Sequence, residues 1–196
     1  MTDPAIAVAL GVAAYLIGGI PFGLILARRF AKVDVQKAGS GNIGATNVAR
    51  TAGRTLGALT LVLDALKGVA PVLAAKALDM SSETIAAVGF GAVLGHVFSP
   101  YLRLRGGKGV ATSAGVFMSV SPVSTGVAVG VFALVFLVSK RVSAGSVAAA
   151  VALIGSAWKL DGRIEIVALA GAIAAIVLVR HRSNLARLLR GKELGV

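Results

Sequence analysis

Apolar positions gather in seven runs along the chain, at residues 6–27, 56–78, 84–102, 110–120, 123–138, 144–158 and 164–179, and polar residues lie almost entirely between them. A helix crosses the roughly 30 Å hydrocarbon core of a bilayer with about 20 predominantly apolar residues, so several runs have the length of a membrane span. The run 6–27, IAVALGVAAYLIGGIPFGLILA, carries no charge. Residues 110–138 are too long for one span and are interrupted at Ser121-Pro122. Proline removes an amide donor and clashes with the preceding turn, so a break there is expected, giving one kinked helix or two short ones.

Charge distribution separates these alternatives, because cytoplasmic loops collect Lys and Arg. With seven spans and the N-terminus outside, one side receives Arg28, Arg29, Lys32, Lys37, Arg50, Arg54, Arg103, Arg105, Lys108, Lys140, Arg141, Arg180, Arg182, Arg187, Arg190 and Lys192. The other side receives Lys76, Lys159 and Arg163 with Asp3, Asp79, Glu83, Asp161 and Glu165. Fusing the fourth and fifth runs would move Lys140 and Arg141 to the acidic side and spoil the asymmetry. The expected fold is therefore all-α: a polytopic membrane protein of seven transmembrane helices, N-terminus outside and C-terminus cytoplasmic, with residues 1–196 as one domain.

Composition supports this class. Of 196 residues 57% are apolar and 14% charged, and the mean hydropathy is +0.88, far from soluble usage. The first run lacks a basic leader and a cleavage site followed by a polar mature chain, so it reads as a retained helix. Cysteine is absent, which excludes disulfides and cysteine-based metal or redox chemistry. The net charge of +12 does not point to nucleic acid, because aromatics are only 5% of the chain and no basic, aromatic-laced soluble face is visible. Gly11, Gly18, Gly19, Gly23, Gly89, Gly91 and Gly95 read as places where helices approach closely in lipid.

Three polar, glycine-bearing segments fall on the same predicted face: AGSGNIGATNVARTAGR, RLRGGKGVATS and RHRSNLARLLRGKE. The first contains G-x-G-x-x-G, with Asp64 twenty residues beyond Gly44. A dinucleotide fingerprint needs a strand before the glycines and a second strand ending at the acid. Here both flanks are apolar runs of membrane length, so that assignment fails. Gly39, Gly41 and Gly44 instead let the chain wrap, Ser40, Asn42, Thr46 and Asn47 offer neutral hydrogen-bonding groups, and Arg50 offers a fork suited to phosphate. Thr46 or Asn47 as a helix N-cap is the structural alternative.

In the second segment Gly106, Gly107 and Gly109 can expose successive amides as an anion nest at the head of a helix starting near Val110, with Lys108 adding a full charge. The sequence is not a Walker A loop, since Gly109 follows Lys108 and no glycine stands five positions before Gly107. In the third, His181 and Asn184 are spaced i, i+3 on an expected continuation of the last span, while Arg187, Arg190 and Lys192 suit anionic lipid headgroups. Within the spans, Asp64 and Lys67 can pair at i, i+3, and His96 is a third buried polar group, each either functional or a structural tie.

Together these segments resemble the bacterial acyl-phosphate:glycerol-3-phosphate acyltransferase family, through GSGNIGATNVAR, GGKGVAT and HRSNLARLLRGKE, with LDALKG and LGH also similar. The resemblance implies a seven-helix fold and transfer of a fatty acyl group from acyl phosphate to the 1-hydroxyl of glycerol 3-phosphate. The products would be lysophosphatidic acid and inorganic phosphate, made on the cytoplasmic side of the inner membrane. It places catalytic positions on Ser40, Arg50, Lys108, His181 and Asn184, and substrate-binding ones on Gly39, Gly41, Asn42, Thr46, Asn47, Gly106, Gly107, Gly109 and Ser146. No cofactor or metal is expected. The expected partners are the two substrates and membrane lipids, with no nucleic acid, and a soluble acyl-phosphate-producing enzyme as a candidate. Soluble-donor glycerophosphate acyltransferases resemble one another in H-x-x-x-x-D, whereas here Tyr101 and Ala186 stand five residues after His96 and His181. The main alternative is a transporter of a phosphorylated small molecule; against it, the polar segments cluster on one face and no repeat relates the halves.

Overall fold

A computed structural model describes residues 4–193 and 195. Asp3, assigned above to the acidic side, lies outside the described residues. Among the described residues the regular elements are helices: α1 (Pro4–Gly19), α2 (Phe22–Leu26), α3 (Ala45–Ala52), α4 (Arg54–Ala77), α5 (Ser82–Val97), α6 (Val110–Val120), α7 (Pro122–Ser139), α8 (Val142–Ser156), α9 (Ile164–Arg180) and α10 (Arg182–Leu189). Wider π turns extend α2 over Ala27–Ala31 and α8 over Ala157–Asp161. Five segments have the length and apolarity to cross a membrane, or six if α9 and α10, bent by 56° between them, count as one. α6 has 11 residues and is about 16 Å long, roughly half a bilayer core.

The expected interruption at Ser121-Pro122 is present. Ser121 leaves helical geometry at φ −147°, ψ 76°, and Pro122 opens α7, where its missing amide costs nothing. A second interruption was not expected. The first run divides at Ile20-Pro21 into α1 and α2, because Pro21 disfavours helical geometry at the residue before it. The carbonyls exposed there find side-chain donors: Ser99 Oγ donates to Gly19 O at 2.6 Å and Lys67 Nζ to Ile20 O at 2.8 Å. Backbone freed at membrane depth requires such partners.

The chain forms two compact units, Met1–Val116 and Phe117–Val196. In the first, α1, α4 and α5 pack on one another, and α2 and α3 pack on α4. Small residues set the spacing. A Cβ on Gly95 would stand 2.0 Å from Tyr15 O, and one on Gly18 2.0 Å from Ala92 O, so α1 and α5 meet backbone to backbone. α4 meets the head of α6 in the same way, through Gly68 against Thr112 O and Gly115 against Ala65 O. In lipid such contacts yield dispersion and weak Cα–H···O interactions.

In the second unit α8 packs between α7 and α9. Ser156 Oγ donates to Ser124 O at 3.4 Å, and the Arg163 guanidinium grips Asp161 at 2.7 Å while donating to Val120 O at 2.9 Å. Leu134, Leu137 and Val138 on α7 are exposed, as are Val8, Val12 and Leu16 on α1. Such apolar outer faces suit lipid, whereas in water they would be an association hazard.

Candidate active site

The first polar segment is a rigid loop sealed by one side chain. Asn47, buried on α3, donates through Nδ2 to Val35 O, Ala38 O and Asn42 O, and its Oδ1 accepts from Ser40 N at 2.8 Å. Asn47 is therefore neither the N-cap nor an available donor. The α3 N-cap is Gly44, and Thr46 lies inside the helix. Asn42 Oδ1 accepts from Gly44 N at 2.8 Å, an Asx turn. Gly39 and Gly41 adopt φ +60° and +72°, while Gly44 at φ −76° needs no glycine for its conformation. Beneath the loop Leu24, Ala27, Val35, Ile43 and Val48 form a dry cluster. What the loop shows outward is the exposed Ser40, with Arg50 half-buried on the last turn of α3.

The glycine turn is built differently from the expected nest. Gly106 N donates to Val97 O at 3.1 Å and Gly107 N to His96 O at 3.0 Å. These bonds satisfy the last carbonyls of α5, so the two amides are spent on docking the turn and only Gly109, at φ +87°, takes the left-handed conformation. Gly106 and Gly107 are required by proximity: a Cβ on Gly106 would stand 2.0 Å from His96 O, and one on Gly107 2.1 Å from His96 Nε2. The arrangement leaves Lys108, half-buried, at the entry to α6 beside its first-turn amides. Just behind, the Thr112 and Ser113 hydroxyls are buried without a hydrogen-bond partner. Each costs about 1–3 kcal/mol in that state, which a bound polar group would relieve.

In the second unit His181 and Asn184 do not continue one helix, since His181 sits at the bend between α9 and α10. His181 Nδ1 lies 2.8 Å from Val177 O. A carbonyl only accepts, so in the neutral ring Nδ1 carries the proton and Nε2 is the acceptor. Asn184, also buried, donates to Glu193 Oε1.

Glu193 is the residue of this segment that sequence reasoning passed over. Its carboxylate accepts from Asn184, from Ser143 Oγ at 2.9 Å and from Arg187 Nε at 2.8 Å, and its carbonyl accepts from Arg141. Gly191, at φ +66°, turns the chain back so that Lys192 N reaches Arg187 O at 2.8 Å, a Schellman ending. That turn brings Glu193 to Arg187, which is thus engaged with a carboxylate rather than kept for lipid. Burial pushes the Glu193 carboxyl up, but the hydrogen bonds from Asn184, Arg187 and Ser143 outweigh it and hold it below the ordinary carboxylate range. The sequence signal was an acid six residues after an arginine, across a glycine. Ser146, buried in α8, donates to Val142 O at 2.9 Å; Ser143, one turn earlier, is the residue tied to Glu193.

Among the described residues no group of three His, Cys, Asp or Glu is placed to hold a metal ion. The donor set instead consists of one lysine, arginines, amides and hydroxyls, a set for anions.

Solved structures share the fold over nearly the whole chain. A crystal structure of PlsY (YgiH), an integral membrane glycerol 3-phosphate acyltransferase in its glycerol 3-phosphate form, superposes with a TM-score of 0.92 at 36% identity, over 97% of this chain and 96% of that one. Its lysophosphatidic acid form superposes with a TM-score of 0.89 at 37% identity, over 97% and 95%. A glycerol-3-phosphate acyltransferase of Geobacter sulfurreducens is 47% identical over 184 residues, 94% of each chain. Residues 8–191 match the family model described as glycerol-3-phosphate acyltransferase, and the chain, an integral membrane protein of apolar helices, belongs to that family.

Proposed function

We propose that the protein transfers a fatty acyl group from acyl phosphate to the 1-hydroxyl of glycerol 3-phosphate, forming lysophosphatidic acid and inorganic phosphate. The hydroxyl oxygen attacks the acyl carbon, the bond from that carbon to the phosphate oxygen breaks, and the hydroxyl proton leaves with the phosphate. Acyl phosphate is already activated, so catalysis consists mainly of aligning two anions and offsetting their repulsion. The observation that carries this reading is Lys108 at the head of α6, held by a turn in which Gly106 and Gly107 admit no side chain.

Ser40, Arg50, Lys108, His181 and Asn184 are the proposed catalytic positions. Gly39, Gly41, Asn42, Thr46, Gly106, Gly107, Gly109 and Ser146 are kept as substrate-binding positions, several through the backbone shape they permit. Asn47 is kept as the seal of its loop. His181 would help align the acceptor substrate, with a substrate phosphate oxygen taking the hydroxyl proton. The whole chain is read as one acyltransferase domain of seven membrane segments, N-terminus outside, in the bacterial inner membrane. Its polar segments would face the cytoplasm, among membrane lipids and within reach of a soluble enzyme that makes acyl phosphate. A transporter would need no acyl chemistry, and family membership over residues 8–191 favours transfer instead.

Phosphate release by the detergent-purified protein, with acyl phosphate and acyl-CoA compared as donors, tests the donor. Release with acyl phosphate alone, and recovery of labelled glycerol 3-phosphate in the lipid extract, is expected. Equal rates with acyl-CoA would overturn the assignment.

A further inference from the structure

Inside the first unit Lys67 lies over the Phe22 ring and has three polar partners. Its Nζ lies 2.9 Å from Asp64 Oδ1, 2.8 Å from Ile20 O and 3.0 Å from His96 Nδ1. All three side chains of the triad are buried. An ammonium has three donors and no acceptor, so the count closes only if Nδ1 accepts. The proton of the neutral ring then sits on Nε2.

That nitrogen is the atom a side chain at residue 107 would strike, at 2.1 Å. The same residue's carbonyl accepts from Gly107 N at 3.0 Å. His96 thus holds the glycine turn from both its ring and its backbone, and the ring is oriented by a buried ion pair. Asp64 and the Ile20 carbonyl account for why a lysine is tolerated at this depth. They do not account for an imidazole whose far nitrogen abuts the turn that carries Lys108.

We propose that His96 is a positioning residue for the glycine turn, its tautomer and ring orientation set by the Asp64–Lys67 pair. This rests on the reading of the turn as a site for a substrate phosphate. Groups that orient metal ligands change metal affinity or activity by about 10–100-fold when removed, and an effect of that order is expected for a group that orients a phosphate-binding turn.

Two substitutions separate the halves of the ring. His96→Asn offers an acceptor near the place of Nδ1 and nothing at Nε2. His96→Gln offers a donor near Nε2 and leaves Lys67 short of one acceptor. In the detergent-purified chain, His96→Asn is expected to melt near wild type while its kcat/KM falls at least about tenfold, with the loss in KM for a phosphate substrate. His96→Gln is expected to melt lower yet keep a KM nearer wild type. A binding arm needs no turnover: the rise in melting temperature with glycerol 3-phosphate, and separately with inorganic phosphate, should shrink in His96→Asn more than in His96→Gln. If wild type turned over no acyl phosphate, the donor assignment would fail while the binding arm still tested His96. Wild-type KM and wild-type ligand shifts in His96→Asn would overturn the proposal. So would parallel loss of affinity and stability, or loss of fold, in both variants, which would reduce the triad to a structural tie.

Discussion

The glycine turn at 106–109 and the C-terminal segment 181–193 both follow the end of an apolar helix, yet they are secured by opposite means. The turn is docked by two backbone amides on the last carbonyls of α5 and by contacts that a single methyl group would break. The C-terminal segment is gathered by a carboxylate, with Asn184, Arg187 and Ser143 converging on Glu193. The first should therefore be sensitive to steric change. The second should tolerate bulk on its exposed side and respond to protonation.

The largest effect expected in either region is at Lys108. Lys108→Ala removes a full charge from a site built for anions, and phosphate release should fall about 10²–10³-fold with the melting temperature little changed; retained turnover would detach the turn from catalysis. Next comes Gly107→Ala, whose methyl would meet His96 Nε2 at 2.1 Å. A displacement of about 1 Å can cost about 10²-fold in rate, read as a fall in kcat/KM with the chain still folded.

His181→Gln, which keeps a polar group but not the basic nitrogen, should lower kcat by about tenfold or more. A normal rate would remove His181 from any part in proton handling. Glu193→Gln should destabilise by about 1.5–3 kcal/mol, as loss of charged hydrogen bonds does, measured by thermal melting in detergent.

The smallest effect is the pH dependence of the wild type. Because the folded Glu193 carboxyl lies below its ordinary value, its stabilisation is fully present above the unfolded value, about 4.3, and is lost as pH falls through the folded one. Melting temperature should drop over that acid window in the wild type and less so in Glu193→Gln. An identical acid response in both would break the contrast between the regions.

Much of this was visible in the chain before its coordinates. Apolar run length and the Ser121-Pro122 step mark the helices and the boundary between α6 and α7, because span length and proline chemistry are local properties. The break at Pro21 was equally local, but it was hidden inside a run without charge. The sites are harder to read. Glycines at 106 and 107 look like conformational freedom, and their actual reason is a neighbour ten and eleven residues back, which no spacing rule reveals. Asn47 looks like one polar group among several, but only the folded loop shows it bonded at both ends. The i, i+3 placement of His181 and Asn184 assumed an unbroken helix, and Glu193 sat unnoticed after a glycine whose turn sends it back to Arg187.

The gap between α1 and α2 bears on how the chain is assembled. The carbonyls bared at Gly19 and Ile20 are met by groups from Ser99 and Lys67, which are synthesised only after α1 has left the ribosome. During insertion the first segment has neither partner. Its carbonyls at Gly19 and Ile20 must stay hydrated or find other donors until Lys67 and Ser99 arrive, so the native hydrogen bonding of this break is among the later features to form.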